Sequence, residues 1–344
     1  MSAKRAKDLP EGKLPVDVLA RMLESIPKSS KLVVAPSIGV DVGVVRGGGR
    51  YIVSSSDPIT GADSRLGWHA VNVSANDVAT SGIMPTSLNS VVLLPPSTRV
   101  DEVRRLMIEI NRCARSLGIS VAGGHTEITP DLSRAIVVVT AIGSGNRFIT
   151  ASMARAGDAI LMTKTAGMEG TSIIARLPGL RALIASKILS RGVELASGMS
   201  ILKEARIAFR TGLIHAMHDI TEGGVLGAVA EMSLASGLGF CLDANAVPID
   251  DSTRQICFAV RIDPLKLLGS GSLLICCRQA DAQAVTRTLR RHRITCTNIG
   301  RMVRKNAGRR VTYGGSISEL DEISVQDELW NVLNRFNQRQ SKIS

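Results

Sequence analysis

The chain has 344 residues, 44% of them hydrophobic and 21% charged. That composition can fill two cores and excludes a disordered chain, a fibre or a small disulfide scaffold. Aromatic residues make up only 3% and the formal net charge is +12, a basic chain poor in the rings that stacking on nucleic-acid bases requires.

The spacing of Val18, Leu19, Met22, Leu23 and Ile26 predicts a short amphipathic helix that stops before Pro27. Strands follow over 32–35, 42–45 and 51–55, the last two joined by Gly47-Gly48-Gly49. A stripe of Trp68, Val71, Ala75 and Val78 predicts a helix over 67–81, stopped by Gly82 and Pro85. An apolar run over 90–94 precedes a strong helix over 100–117, and a strand begins at Ile119. The cleanest strand covers 135–142. A polar stretch after it places a domain boundary near residue 150, giving domains 1–150 and 151–344.

In the second half, strands are expected over 158–163, 239–242, 273–277, 295–299 and 310–313. Helices are expected over 171–176, 199–209, 224–235, 280–290 and 325–336, while 177–198 carries no recognisable signature. Strict strand-helix alternation is missing, and the closely linked strands near Val42 and Tyr51 require antiparallel pairing, so an α+β architecture is preferred to a doubly wound parallel sheet.

The positive charge is scattered. Arg104, Arg105, Arg112 and Arg115 fall on the polar face of one expected helix and Lys203, Arg206 and Arg210 on another; the densest basic stretches are 287–293 and 301–310. This is the pattern of a solvated basic surface, which argues against a dedicated nucleic-acid site and suits an anionic small substrate. The six cysteines, at 113, 241, 257, 276, 277 and 296, form no C-x-x-C pair and have no histidine at metal-ligand spacing. Reduced core thiols in a cytoplasmic protein are the natural reading, and no apolar run approaches the roughly 18 residues of a membrane span.

The common catalytic signatures are missing: no P-loop, no nucleophile elbow, no zincin helix, no dinucleotide fingerprint. What remains is a dispersed set of acidic and amide residues beside glycine or proline: Asp41, Ser56-Asp57-Pro58, Asn76-Asp77, Gly123-Gly124-His125-Thr126-Glu127, Lys164 with the glycines after it, and His218-Asp219-Ile220-Thr221-Glu222-Gly223-Gly224. Each places a carboxylate or amide where an element is expected to end and backbone N–H groups become free, as Mg²⁺ and phosphate groups require. Taken singly they also have plainer readings: Asp57 as a turn residue, Asp219 as a helix N-cap, Lys164 as loop.

In this order the segments resemble the AIR synthase-related, or PurM-like, superfamily, which includes the hydrogenase maturation factor HypE, thiamine monophosphate kinase and selenophosphate synthetase. The resemblance runs from Gly12 to about Gly315. Its most specific pieces are Ala75 to Gly82, Ala122 to Glu127 and His218 to Gly224, and Glu169-Gly170-Thr171 makes the chain look most like the HypE branch. The resemblance implies a two-domain α+β protein, a homodimer whose N-terminal sheets pair into a barrel, with ATP and Mg²⁺ at the subunit boundary and phosphoryl transfer to a substrate oxygen. Carried over, Asp57, Asp77 and Asp219 are the catalytic acids; Asp41, Asp57, Asp77, Glu127 and Asp219 the metal ligands; and Asn76, Gly123, Gly124, His125 and Thr126 the nucleotide contacts, to which the charge of Lys164 and the glycines after it add a phosphate contact.

Two departures bear on activity. His125 stands where relatives carry an acid after the double glycine, so the charge there would come from Glu127. HypE carries its substrate on a C-terminal cysteine, whereas the last cysteine here is Cys296, so the acceptor is expected to be a small molecule or to be borne by another protein. The runner-up readings are a small-molecule kinase resembling thiamine monophosphate kinase and a non-catalytic nucleotide-binding maturation partner.

Overall fold

A computed structural model describes residues 9, 12–27, 29–60, 65–320 and 325–340. The basic N-terminal residues 1–8 lie outside them. Helix α1 (Val16–Leu23) leads into a mixed sheet formed by β1 (Leu32–Val34), β2 (Gly43–Gly47), β3 (Arg50–Ile59), β4 (Pro85–Leu94), β5 (Ser120–Ile128) and β6 (Ile136–Gly145). Their order is β1-β2-β3-β6-β4-β5, with β4 and β5 parallel and the other neighbours antiparallel. Alternation decides the faces. Val44, Val53, Leu88, Val92, Val137 and Val139 point inward and are buried, with α2 (Leu66–Thr80) and α3 (Val100–Leu117) packed on that side.

Strand β3 runs through Asp57 and Pro58, which corrects the reading of this segment as a strand end or turn. Strand β2 pairs with β3 only as far as Ser54, whereas β6 pairs with it to Ile59. Pro58 therefore sits where one side of β3 is open, the place in a sheet that tolerates a residue without an N–H. Helix α2 is buried on almost every side, including Gly67, Ala70, Ser74, Ala75 and Ala79. Small residues let it lie between the first sheet and the second domain.

The second domain is built on a sheet of β7 (Asp158–Thr163), β8 (Ile214–Asp219), β9 (Gly239–Asp243), β10 (Leu273–Arg278), β11 (Cys296–Val303), β12 (Arg309–Tyr313) and β13 (Ser316–Glu319), in the order β13-β12-β9-β11-β7-β10-β8. Its helices are α4 (Met168–Ile174), α5 (Ser186–Glu194), α6 (Leu202–Arg210), α7 (Gly224–Ser236), α8 (Asp251–Val260), α9 (Ala282–Arg291) and α10 (Glu328–Gln340). Strands β7 and β10 are apolar on both sides because both sides are covered. Ile160, Met162 and Cys276 join the core beneath α7, and Leu161, Ile275 and Cys277 join the core beneath α6 and α9. Helices α5 and α8 and strands β8 and β13 add to the expected elements. Helix α5 occupies part of the stretch without a signature, and β8 is short and interrupted by His215 and His218.

Candidate active site

The two halves enclose a cavity of about 770 Å³, entered past Lys13, Leu14 and Trp330 and floored by Asp41, Asp57, Asp77 and Asp219. Four separate local structures bring these carboxylates together. Asp57 lies on the inner face of the overhanging end of β3. Asp77 lies in the middle of α2, Asp219 ends β8, and Asp41 sits in the loop before β2. That loop can approach because Gly39, at φ +73°, lies against the backbone carbonyl of Glu231 on α7; a side chain there would collide with it.

The Ser55 hydroxyl lies 2.7 Å from Asp77 Oδ2 and 3.2 Å from Asp57 Oδ2, so one proton serves two carboxylates. His218 Nδ1 donates to the carbonyl of Asp219 at 2.7 Å and lies 3.4 Å from Asp41 Oδ1. Its Nε2 lies 3.4 Å from Glu231, which is paired at 2.7 Å with Lys13. Five carboxylates thus face two cations, and the imbalance shows in the titration. Burial, reinforced by Asp219 and Asp57, holds the Asp77 carboxyl well above the usual carboxylate range. Burial raises Asp41 to about 6 and, with the charge of Asp41, Asp219 to about 8, although His218 opposes both. For His218, burial alone would lower the imidazole, but Asp41 and Glu231 outweigh it and raise it to about 9. Glu231 goes the other way: burial would raise it, yet Lys13 and His218 hold it at about 2.

Among the described residues, the buried atoms Asp41 Oδ2 and Asp219 Oδ2 have no hydrogen-bond partner. Unpaired buried carboxylate oxygens are costly, and hard oxygen donors of this kind fit a divalent cation such as Mg²⁺. Asp41, His218 and Asp219 each bring a donor atom within 4.8 Å of the others. The Nδ1 hydrogen bond of His218 leaves the carboxylates as the better ligands.

The plainer reading of Asp219 as a helix cap fails. Helix α7 is entered through Gly223, at φ +82°, whose N–H is taken by Asp327 at 2.7 Å. Two other expectations are corrected. Asn76 is not a cleft contact: it is fully buried, donates to the carbonyl of Met199 at 2.9 Å and accepts from the N–H of Ile201 at 3.0 Å, clamping the second domain to α2. Lys164 is not free for phosphate: its ammonium donates to the carbonyls of Gly198, Ser200 and Gly271 at 2.7–2.8 Å and pairs with Glu204 at 2.8 Å.

Gly123, Gly124, His125, Thr126 and Glu127 do not end an element and do not join the acids within this chain. They lie in β5, three strand spacings or about 14 Å from β3. His125 and Glu127, 3.0 Å apart, share a face with Val91 and Leu93, opposite the face that carries Asp57. Gly124 has a packing reason to be glycine, because a side chain would strike the Ser90 carbonyl on β4.

Lys13, Glu231, Glu222 and Trp330 were not among the expected site residues. The Trp330 indole and the Lys13 amide both donate to Glu222, at 3.1 and 3.4 Å, joining the two ends of the chain at the cleft mouth. Their signal is long-range; only Glu222, inside the His218–Gly224 motif, was visible locally. Glu169, named within a motif, lines the cleft and is held by His69 at 2.8 Å.

The fold and site together define a two-domain α+β protein that closes both halves over a carboxylate-rich cleft. Residues 15–144 match the N-terminal domain, and 155–312 the C-terminal domain, of AIR synthase related protein. The chain belongs to that family. It is 28% identical over 276 residues to the carbamoyl dehydratase HypE of Rhodobacter capsulatus, spanning 77% of this chain and 78% of that one. It is 27% identical over 233 residues to the carbamoyl dehydratase HypE of Cupriavidus necator, spanning 66% of this chain and 64% of that one, so here the match covers less than two thirds of the relative. The fold is shared with the hydrogenase maturation protein HypE in complex with ATP (TM-score 0.66, 22% identity, 88% of this chain and 90% of that one). It is shared as well with AaThiL complexed with AMPPCP and TMP (TM-score 0.69, 18% identity, 89% and 94%).

Proposed function

We propose that this protein is a Mg²⁺-dependent, ATP-using enzyme of the HypE-like branch that activates a substrate oxygen by phosphoryl transfer. The observation that carries the reading is the convergence of Asp41, Asp57, Asp77 and Asp219 on one cleft with two buried carboxylate oxygens unpaired. These four side chains would hold the cation, which when bound neutralises phosphate charge as the transfer proceeds. Lys13 offsets negative charge at the entrance, and Leu14, Val16, Leu19, Val325 and Trp330 make an apolar end suited to a base. Glu169, held through one oxygen by His69, lines the same cleft and would be the base that takes a proton from an acceptor bound there. Catalysis on this plan is positioning and charge neutralisation, so it needs no covalent nucleophile.

In this reading the nucleotide domain is 1–150 and the second domain 151–344, and the working unit is a cytoplasmic homodimer. Strand β5 is exposed along its whole length, and the outer face of the first sheet leaves Val45, Ile52 and Val91 36–37% exposed. An open apolar face beside an unpaired edge is what a second copy covers, and the two sheets would then close as a barrel. In that dimer Gly123 to Glu127 would serve the neighbouring copy's cleft. The acceptor in this reading is a small molecule or is borne by another protein, since five of the six cysteines are buried and Cys241, the sixth, is only partly exposed.

Titration calorimetry with ATP, with and without Mg²⁺, tests the reading on the wild type and Asp77→Asn. Mg²⁺-dependent binding that the substitution weakens at least about tenfold, a loss of roughly 1.4 kcal/mol, is expected. ATP binding that ignores both Mg²⁺ and the substitution would sink it. Formation of a phosphorylated small-molecule product would favour the kinase reading, and binding without turnover on any acceptor the non-catalytic one.

A further inference from the structure

Helices α6 and α9 lie side by side on the second sheet and leave a groove of about 530 Å³ between them, which shares no residue with the acid cleft. Its walls carry Lys203, Arg206, Arg210 and His292, and its floor is formed by Ile207 and Leu213. The surrounding charge is one-sided. Residues 205–218 and 282–300 contain no Asp or Glu, while Arg287, Arg290, Arg291 and Arg293 add four exposed cations beside the groove. The single acid of α6, Glu204, is buried and already paired with Lys164. Among the described residues none of these seven Lys and Arg side chains is ion-paired; the nearby pairs use Arg278 and Lys164 instead.

Lys203 has a structural duty, donating to the His292 carbonyl at 2.9 Å and so pinning α6 to the end of α9. Arg206 and Arg210 have none: both are exposed, and neither side chain makes a hydrogen bond among the described residues. With Lys203 they fall at i, i+3 and i+7, one face of α6 over about 10 Å, with half-buried Ile207 beside them. A cationic rim around an apolar floor has a complementary shape. A phosphate backbone has no use for the floor, and among the described residues no Phe, Tyr or Trp lines the groove to stack a base. We propose that the groove docks an acidic amphipathic helix of a partner protein, its apolar side on Ile207 and Leu213 and its carboxylates on Arg206 and Arg210.

Fluorescence anisotropy with the full chain tests this, using a labelled synthetic helix of about 18 residues with leucines on one face and glutamates elsewhere. A poly-glutamate peptide of equal length and an oligouridylate serve as comparators. The Glu/Leu helix should bind at least about tenfold more tightly than either, and Arg206→Glu/Arg210→Glu should weaken it by at least about tenfold while leaving the melting temperature unchanged. Ile207→Ser should lower affinity for the Glu/Leu helix but not for poly-glutamate. No binding of the helix, equal binding of poly-glutamate, tighter binding of the RNA, or indifference to the double charge reversal would each overturn the proposal.

Discussion

Glu231 shows how a residue outside every motif can shape the site. Its carboxylate is held at about 2, against an ordinary 4.5, by Lys13 and His218. A depressed folded value means that this stabilisation is complete above pH about 4.5 and fades as pH falls toward 2. Glu231→Gln should therefore cost about 2 kcal/mol at pH 7, a figure reduced from the full shift because Lys13 is half exposed. The gap to the wild type should narrow between pH 4.5 and 2, as measured by urea unfolding at a series of pH values. A gap that stays constant over that range would mean that the ion pair is not its source.

At the scale of elements, α2 is the hinge pin of the molecule. Its buried Asn76 satisfies one carbonyl and one N–H of the segment leading into α6, and its His69 reaches Glu169 at the start of α4. Asn76→Ala would leave two buried backbone groups without partners. The expected cost is about 2–4 kcal/mol in denaturant unfolding, and a loss below about 0.5 kcal/mol would show that water or a local shift replaces the amide. The same helix presents Asp77 one residue on, so the clamp and the acid are set by one register. Loosening the clamp should also weaken nucleotide binding, although Asn76 does not line the cleft.

At the scale of the whole molecule, the first sheet is finished on one side only. Val45, Ile52 and Val91 face outward on one side of a sheet whose edge strand β5 is fully exposed, an arrangement that in a lone chain invites aggregation. Light scattering on the purified protein should give twice the chain mass of 36.5 kDa. Val91→Glu combined with Val138→Glu, its partner across β4 and β6 on the same outer face, should return it to a single chain, with an unchanged far-ultraviolet dichroism spectrum showing that the fold survives. A wild type that elutes as one chain at micromolar concentration would remove the barrel from the proposed function.

Most of the strands and helices, the α+β class and the four acids Asp41, Asp57, Asp77 and Asp219 that meet in the cleft were legible in the sequence, because local periodicity carries the elements and short motifs carry the acids. Helices α5 and α8 and strands β8 and β13 were not expected, although Asp250 caps α8 by accepting from the Ser252 N–H at 2.8 Å, because each is a short element whose place is fixed by what it packs against. What Asn76 and Lys164 do was decided by tertiary structure alone. An amide and an ammonium look the same in a motif whether they face a phosphate or the carbonyls of Met199 or Gly198, and only the packing of one domain on the other chooses. The separation of Gly123 to Glu127 from the acids belongs with them, because the order of strands in a sheet and the face on which each residue lies are properties of long-range pairing. So does the chain Lys13–Glu231–His218, in which the N-terminal Lys13 meets α7 and the end of β8 only once the backbone has folded.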